Sequence, residues 1–257
     1  MTACPLVASG ISVRFGGVQA VRDVSLQVEP GQLVGLIGPN GAGKTSFVDA
    51  ITGFVPSEGR VEIDGVDVTS ARPHIRAKHG LTRTWQSVDL FNDLSVAENL
   101  AVAATEPSWT RTLRELVRNG RKTAPAVEQL MADVGIESMA DLMPEALSEG
   151  QRKLVGVARA LAGSPVVVCL DEPAAGLDTH ESTQLGVRLK RLVDQGTAML
   201  LIDHDMGFVF GICDHIVVLE FGVVIAEGTP ADIRQDPGVI AAYLGAGSSD
   251  TSIEARS

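Results

Sequence analysis

The residues from 38 to 45 form a loop whose composition suits phosphate binding. They fit the pattern G-x-x-x-x-G-K-[ST], follow an apolar run at Leu33–Ile37 and precede a segment with helical spacing. In such a loop, glycines let backbone N–H groups surround phosphate oxygens, a lysine contacts the β- and γ-phosphates, and a hydroxyl can bind Mg²⁺. An ordinary glycine turn is the alternative, which the flanking strand and helix disfavour. The candidate nucleotide-binding residues are Gly38, Pro39, Asn40, Gly41, Ala42, Gly43, Lys44, Thr45 and Ser46.

Two adjacent carboxylates, Asp171 and Glu172, follow a second apolar run at residues 166–170. A nucleotide-hydrolysing site needs such acids at the end of a buried strand. Asp171 would hold the Mg²⁺ shell together with Thr45, and Glu172 would act as the general base on an attacking water. The alternative is a surface acidic pair at the start of the next helix. The apolar strand before the pair favours the chemical interpretation.

A third candidate, at residues 147–151, has the sequence Leu-Ser-Glu-Gly-Gln and precedes a helical stretch at residues 152–161. Ser148 is a suitable N-cap for that helix, and the helix end could face a phosphate. Taken alone, the segment indicates only a capped helix.

Hydrophobic patterning indicates which elements position these residues. Strands are predicted at Leu6–Phe15, Val18–Val28 and Leu33–Ile37, then at residues 60–63, 165–170, 198–203 and 215–219. Helices are predicted at Lys44–Thr52, Pro73–Lys78 and residues 179–193. Residues 95–162 show helical spacing and no period-2 segment. The pattern predicts an α/β protein with an antiparallel N-terminal edge on a parallel sheet and a helical middle.

Composition narrows the possible functions. The chain has 257 residues, 45% of them hydrophobic, and a formal net charge of −11, so we expect a folded domain that does not bind nucleic acid. Cys4, Cys169 and Cys213 form no CxxC pair, which favours a reducing cytosol. The apolar runs are shorter than the roughly 20 residues that cross a bilayer. No basic residue precedes Arg14, so no secretory signal is expected.

The three candidates together resemble the ATP-binding cassette (ABC) ATPases, whose signature sequence is usually LSGGQ. Ser148, Gly150 and Gln151 match this signature, whereas Glu149 stands where glycine is commonest. The resemblance covers residues 6–244 and keeps the motifs in the family's order.

The resemblance also implies roles for single residues. Phe15 is similar to the aromatic residue that stacks on adenine, although a strand Phe is more often part of a core. Gln86 resembles the glutamine that contacts Mg²⁺ and senses the permease. Asp178, in Gly-Leu-Asp, resembles the loop that crosses the dimer interface, and His204 resembles the switch histidine near the γ-phosphate.

Finer matches are similar to the ATPase subunits of branched-chain amino acid importers. They lie at residues 14–17, 83–86, 90–91, 96–100, 171–177 and 242–245. Two residues depart from that pattern: Trp85 replaces the usual Phe, and Asp203 replaces the usual Glu before the histidine. Because of these two departures, the sequence does not identify the transported solute.

The family resemblance implies a P-loop NTPase core with a mixed, mainly parallel sheet and an antiparallel N-terminal edge. A helical subdomain would occupy residues 87–163 of a single domain at 1–245, followed by a flexible tail at 246–257. ATP and Mg²⁺ would bind between two ATPase subunits, either identical or paralogous. We expect the subunit to lie on the cytoplasmic face of the membrane, bound to integral membrane permeases and linked through them to an extracytoplasmic substrate-binding protein.

Two other functions remain open at this point. One is the ATPase of a lipid or lipopolysaccharide export system, and the other is a soluble ABC ATPase of translation or DNA repair. The segment at residues 83–86 and the helical insertion favour import, and the acidic charge disfavours the soluble class. Four arginines at helical spacing, Arg111, Arg114, Arg118 and Arg121, form either a solvated helix face or a contact with lipid or permease.

Overall fold

A computed structural model of the chain describes residues 3–84, 90–104 and 125–246. Gln86, Trp85 and the four arginines between 111 and 121 lie outside the described residues. So do residues 247–257 of the predicted tail.

The described strands form two sheets. The first has four antiparallel strands in the order β2-β1-β4-β5. These are β1 (Leu6–Phe15), β2 (Val18–Val28), β4 (Glu58–Ile63) and β5 (Val66–Asp67). The second has six strands in the order β10-β9-β3-β8-β7-β6. These are β3 (Leu33–Ile37), β6 (Leu81–Arg83), β7 (Val167–Asp171), β8 (Ala198–Ile202), β9 (His215–Glu220) and β10 (Val223–Gly228).

Nine α-helices occur in the described residues. Those in the first part are α1 (Lys44–Thr52), α2 (Pro73–Lys78), α3 (Val96–Ala104), α4 (Pro125–Val134) and α5 (Glu149–Leu161). The others are α6 (Thr179–Asp194), α7 (Met206–Ile212), α8 (Pro230–Gln235) and α9 (Pro237–Ala246). Short 3₁₀ turns lie at Glu137–Met139 and Pro144–Ala146. None of the helices in the described ranges is long and apolar enough to cross a bilayer.

The predicted α/β fold class is confirmed, and the antiparallel N-terminal strands form a sheet of their own. In the six-stranded sheet, β9, β3, β8, β7 and β6 are parallel and β10 is antiparallel to β9. The sequence did not predict the strands β5, β6 and β10 or the helices α7, α8 and α9. Described residues 90–161 contain helices and turns but no strand. The limits of the helical subdomain and of the whole domain stay predictions.

The central strands β3, β7 and β8 are buried along their whole length, which explains why their sequences are nearly continuous apolar runs. Side chains of β3 alternate between two cores. Val34 and Leu36 pack with α1 and the four-stranded sheet, whereas Leu33 and Ile37 pack with the helices on the opposite face. The fold is therefore layered, with the parallel sheet in the middle.

A buried arginine fixes the far end of α1. Arg76 on α2 is 4% exposed, and its guanidinium donates to the Ala50 and Ile51 carbonyls at 2.8 and 2.7 Å. It also donates to the Thr69 and Ala71 carbonyls. Because a helix C-terminus carries a partial negative charge, the cation both caps α1 and favours its dipole.

We predict that Arg76→Met lowers the free energy of unfolding by about 3 kcal/mol or more, because four carbonyls lose a charged donor in a buried place. Urea unfolding followed by circular dichroism measures this change. Arg72→Met, at an exposed position just before α2, is the matched control and should change stability little. Equal stability of the two variants would contradict the capping role of Arg76.

Candidate functional site

The candidate site residues collect at one edge of the parallel sheet. The loop at residues 38–43 follows β3, Asp171 ends β7 and is followed by Glu172, and Asp203 and His204 follow β8. These three strands are neighbours in the order β3-β8-β7. Parallel strands end at the same edge, and ligands of open α/β sheets bind outside those carboxyl ends.

Glycines in the phosphate-binding loop are required by backbone shape. Gly38, Gly41 and Gly43 have φ values of 151°, 80° and 101°. A Cβ at Gly38 would lie 2.1 Å from the Leu219 carbonyl oxygen, and one at Gly43 would lie 2.4 Å from the Ala20 oxygen. Only glycine fits these two positions, because a Cβ would collide with backbone oxygen atoms, which cannot move aside as a flexible side chain can.

The first turn of α1 is open to an anion. Gly43 is its N-cap, so no side chain caps the helix, and no acidic residue lies in its first turn. In contrast, Ser148, Asp178, Asp205 and Thr229 cap α5, α6, α7 and α8. Helix N–H groups without such a cap can donate to phosphate.

Lys44 places its ammonium over this loop. Its Nζ donates to the Gly38 and Pro39 carbonyls at 2.6 and 3.0 Å. Burial lowers the pKa of Lys44, while the nearby Glu172 and Asp171 carboxylates oppose that change. Of the other predicted loop residues, Asn40, Gly41 and Thr45 are exposed, Ser46 is half-buried and Ala42 is buried.

Glu172 takes a constrained backbone conformation next to the histidine. It has a φ of 48°, and its N–H donates to the Ile202 carbonyl at 2.7 Å. Its side chain is 30% exposed, with Oε1 3.5 Å from Nδ1 of the 64% exposed His204. A left-handed non-glycine residue is strained, and such strain often marks functional sites. This geometry brings the predicted base and the predicted switch histidine together.

Asp203 holds the turn that carries His204. It is 2% exposed, and its Oδ1 accepts from the N–H groups of His204 and Asp205 at 2.8 and 3.0 Å. Burial raises the pKa of Asp203, and these hydrogen bonds oppose the rise. The sequence marked this residue only as a departure from a family pattern. The sequence signal that could have identified Asp203 is its position directly after the apolar run at residues 198–202.

The segment at residues 147–151 forms a capped helix start, as predicted. Ser148 Oγ accepts from the Gln151 N–H at 3.2 Å, and Gln151 Oε1 accepts from the Ser148 N–H at 2.9 Å. These bonds form a capping box at the start of α5. Ser148 and Glu149 are exposed, whereas Gly150 is buried.

Asp178 forms the corresponding capping box of α6. Its Oδ1 accepts from the Glu181 N–H at 2.8 Å, and Glu181 Oε2 accepts from the Asp178 N–H at 3.0 Å. The turn before it packs on α5, since a Cβ at Gly150 would lie 2.6 Å from a Leu177 methyl carbon. The residues predicted to face a second subunit therefore adjoin one another in this chain.

The remaining candidates and some unpredicted residues complete the site. Phe15, at the end of β1, is half exposed. Arg83 was noted only as part of a family motif, and it pairs with Asp171. Tyr243 is likewise indicated by the sequence only as part of the family match at residues 242–245. Burial raises the pKa of Tyr243 to about 12 despite the opposing effect of a hydrogen bond from the Gly38 backbone, and this bond brings α9 against the phosphate-binding loop.

Comparison with known sequences identifies the family. The ABC transporter family matches residues 21–175. The family of branched-chain amino acid ATP-binding cassette transporters matches residues 223–248. The chain is 39% identical over 248 residues to the branched-chain amino acid transport protein BraF of Pseudomonas aeruginosa, covering 93% of this chain and 97% of BraF.

Two more relatives come from Escherichia coli. The chain is 36% identical over 248 residues to the branched-chain amino acid transport protein LivG, covering 93% of this chain and 97% of LivG. It is 36% identical over 242 residues to the lipopolysaccharide export protein LptB, with the same coverage.

Solved structures agree with the sequence comparison. One ATP-binding cassette of an ABC transporter superposes with a TM-score of 0.81 at 29% identity, covering 94% of this chain and 99% of the other. A nucleotide-free cassette superposes with a TM-score of 0.80 at 30% identity, covering 95% and 99%. The chain therefore belongs to the ABC transporter family, as one of its ATP-hydrolysing ATP-binding subunits.

Proposed function

We propose that the chain drives an importer of branched-chain amino acids or a related small polar solute. The observation that carries this proposal is the match of residues 223–248, comprising β10, α8 and α9, to the branched-chain family. These elements lie outside the range matched by the general ABC family, so they add information about the subgroup. The similarity to BraF and LivG supports the same assignment.

Lipopolysaccharide or lipid export is the second candidate, since LptB is almost as similar in sequence as LivG. A motor subunit does not touch the solute, so its own site cannot separate the two. Purifying the chain with its membrane partners and identifying the companion proteins tests the choice. An extracytoplasmic amino acid-binding protein supports import, and a lipid-binding partner supports export.

Mg²⁺ suits the donor atoms at the sheet edge. Among residues of the described ranges, no three His, Cys, Asp or Glu side chains form a metal cage. Mg²⁺ requires none, because it keeps several waters and is held by one or two carboxylates plus substrate phosphates. The Thr45 hydroxyl and the Asp171 carboxylate are hard oxygen donors of this kind. Bound there, Mg²⁺ would neutralise charge on the β- and γ-phosphate oxygens. The role predicted for Gln86 stays a prediction.

The chain's own residues have separate tasks in the proposed hydrolysis. Backbone N–H groups at the start of α1 and the Lys44 ammonium bind the phosphates, and Phe15 offers an exposed ring for the base. The Glu172 carboxylate accepts a proton from the attacking water. His204 lies beside that carboxylate and orients the water and the γ-phosphate.

A complete site is proposed to need two ATPase subunits. The exposed N-terminus of α5, with Ser148, would contact the γ-phosphate bound to the phosphate-binding loop of a second subunit, identical or paralogous. Asp178 and its neighbours would lie at the same interface. Permeases would hold the pair on the cytoplasmic face of the membrane, where closure and reopening change the permease conformation.

We predict that Glu172→Gln lowers ATP turnover by about 100-fold or more, because the amide cannot accept the proton. Binding of a non-hydrolysable ATP analogue, measured by calorimetry, should stay close to normal. Lys44→Ala should instead weaken that binding by about 10- to 100-fold, since a charged donor to phosphate is lost. Glu58→Gln, at an exposed site on β4, is the control. It should leave both ATP turnover and analogue binding unchanged. Near-normal turnover in Glu172→Gln would remove Glu172 from the general-base role.

We also predict complementation between two inactive chains. In a mixed dimer, Lys44→Ala and Ser148→Arg chains form one doubly altered site and one intact site. ATPase activity of the co-expressed complex should exceed that of either parent. A dimer with a paralogue gives the same result only when the two changes are divided between the two proteins. Full ATPase activity in an obligate monomer would contradict the shared site.

A further inference from the structure

Arg83 joins two carboxylates that belong to different elements of the site. It is the last residue of β6, and its side chain is 6% exposed. Its Nη2 donates to Asp171 Oδ2 at 2.8 Å, and its Nη1 forms an ion pair with Asp49 Oδ1 on α1. One guanidinium therefore connects the strand that carries the acids with the helix that follows the phosphate-binding loop.

The shape of arginine suits this double contact. A guanidinium holds its donors in a rigid planar fork, whereas an ammonium is a point charge on a flexible stem. The Asp171 side chain is 6% exposed and that of Asp49 is 25% exposed. Removal of the cation would leave two partly or fully buried carboxylates without this partner, which is strongly destabilising.

The neighbouring residue holds the backbone of the same aspartate. Thr84 Oγ accepts from the Asp171 N–H at 2.9 Å, and the Thr84 N–H donates to the Cys169 carbonyl at 2.9 Å. Both the side chain and the backbone of Asp171 are thus held by the end of β6. In sequence, that end lies just before Gln86.

We propose that Arg83 is a positioning residue. It holds the Asp171 carboxylate at a fixed position relative to α1, so that Asp171 and Thr45 act on the same Mg²⁺. This inference rests on the proposed Mg²⁺-dependent binding of ATP. We call the Asp49–Arg83–Asp171 bridge the arginine clamp. Asp49 is part of it because it binds Nη1 of the guanidinium, while Asp171 binds Nη2. Partners that orient a metal-binding carboxylate typically contribute about 10- to 100-fold in metal affinity or activity.

Simple charge neutralisation is the competing role, and a double variant separates the two. Arg83, Asp49 and Asp171 have a combined formal charge of −1. Arg83→Met with Asp49→Asn keeps that charge but removes the arginine clamp. A neutralising role predicts that this double variant behaves like the natural chain. A positioning role predicts that it regains thermal stability without regaining normal Mg²⁺ dependence.

The experiment measures two quantities on the full chain. Thermal unfolding reports stability, and calorimetric binding of a non-hydrolysable ATP analogue at increasing Mg²⁺ reports the half-saturating Mg²⁺ concentration. For Arg83→Met with Asp49→Asn, we expect a higher melting temperature than for Arg83→Met alone and a half-saturating Mg²⁺ concentration raised about 10-fold or more. Normal Mg²⁺ dependence of the double variant would overturn the proposal.

Two further variants keep the test informative if the double variant does not fold. Arg83→Lys retains the charge but cannot span both carboxylates, so its Mg²⁺ requirement should also rise, and a normal requirement would overturn the proposal. Arg60→Met is the matched control, because Arg60 also contacts two carboxylates, Glu62 and Asp67, but is 59% exposed. It should leave the requirement unchanged. If the natural chain binds the analogue without any Mg²⁺ dependence, the proposed Mg²⁺-dependent binding of ATP fails instead.

Discussion

The parallel arrangement of five neighbouring strands is the constraint on which the site depends. Parallel strands need long crossover connections, and these place helices on both faces of the sheet. The parallel strands then all end at the same edge, where backbone N–H and C=O groups are no longer hydrogen-bonded within the sheet. Residues from distant parts of the sequence, such as Lys44, Asp171 and His204, meet at that edge. The apolar runs that build the strands provide the rigid base from which these polar groups project.

Charge is concentrated where the strands end, and the structure balances it locally. Asp171 and Glu172 lie close enough to Lys44 to influence its pKa. Arg83 forms a buried ion pair with Asp171. The Asp203 carboxylate accepts hydrogen bonds from the backbone N–H groups of His204 and Asp205. Charge interactions are stronger in such partly buried places than in water, so small displacements of the strands would change the site considerably.

The sequence predicted those features that are encoded locally. The phosphate-binding loop, the acids after β7 and the cap at Ser148 are each contiguous, and their flanking elements have clear periodicity. Contacts between distant residues were not predictable in this way. The pairing of Arg83 with Asp49 spans 34 positions, and Tyr243 reaches Gly38 from the other end of the chain. The separate antiparallel sheet was also missed, because alternation identifies a strand but not its partners.

The capping boxes at Ser148 and Asp178 would affect the speed of the proposed subunit association. Ser148 with Gln151, and Asp178 with Glu181, are held in place by hydrogen bonds within one chain. The side chains that would meet a partner have therefore lost most of their rotamer freedom during folding. Rigid, preorganised surfaces lose less entropy on association than mobile ones. Closure of two subunits would then be limited by how rapidly they reorient, and not by the ordering of the loops between them.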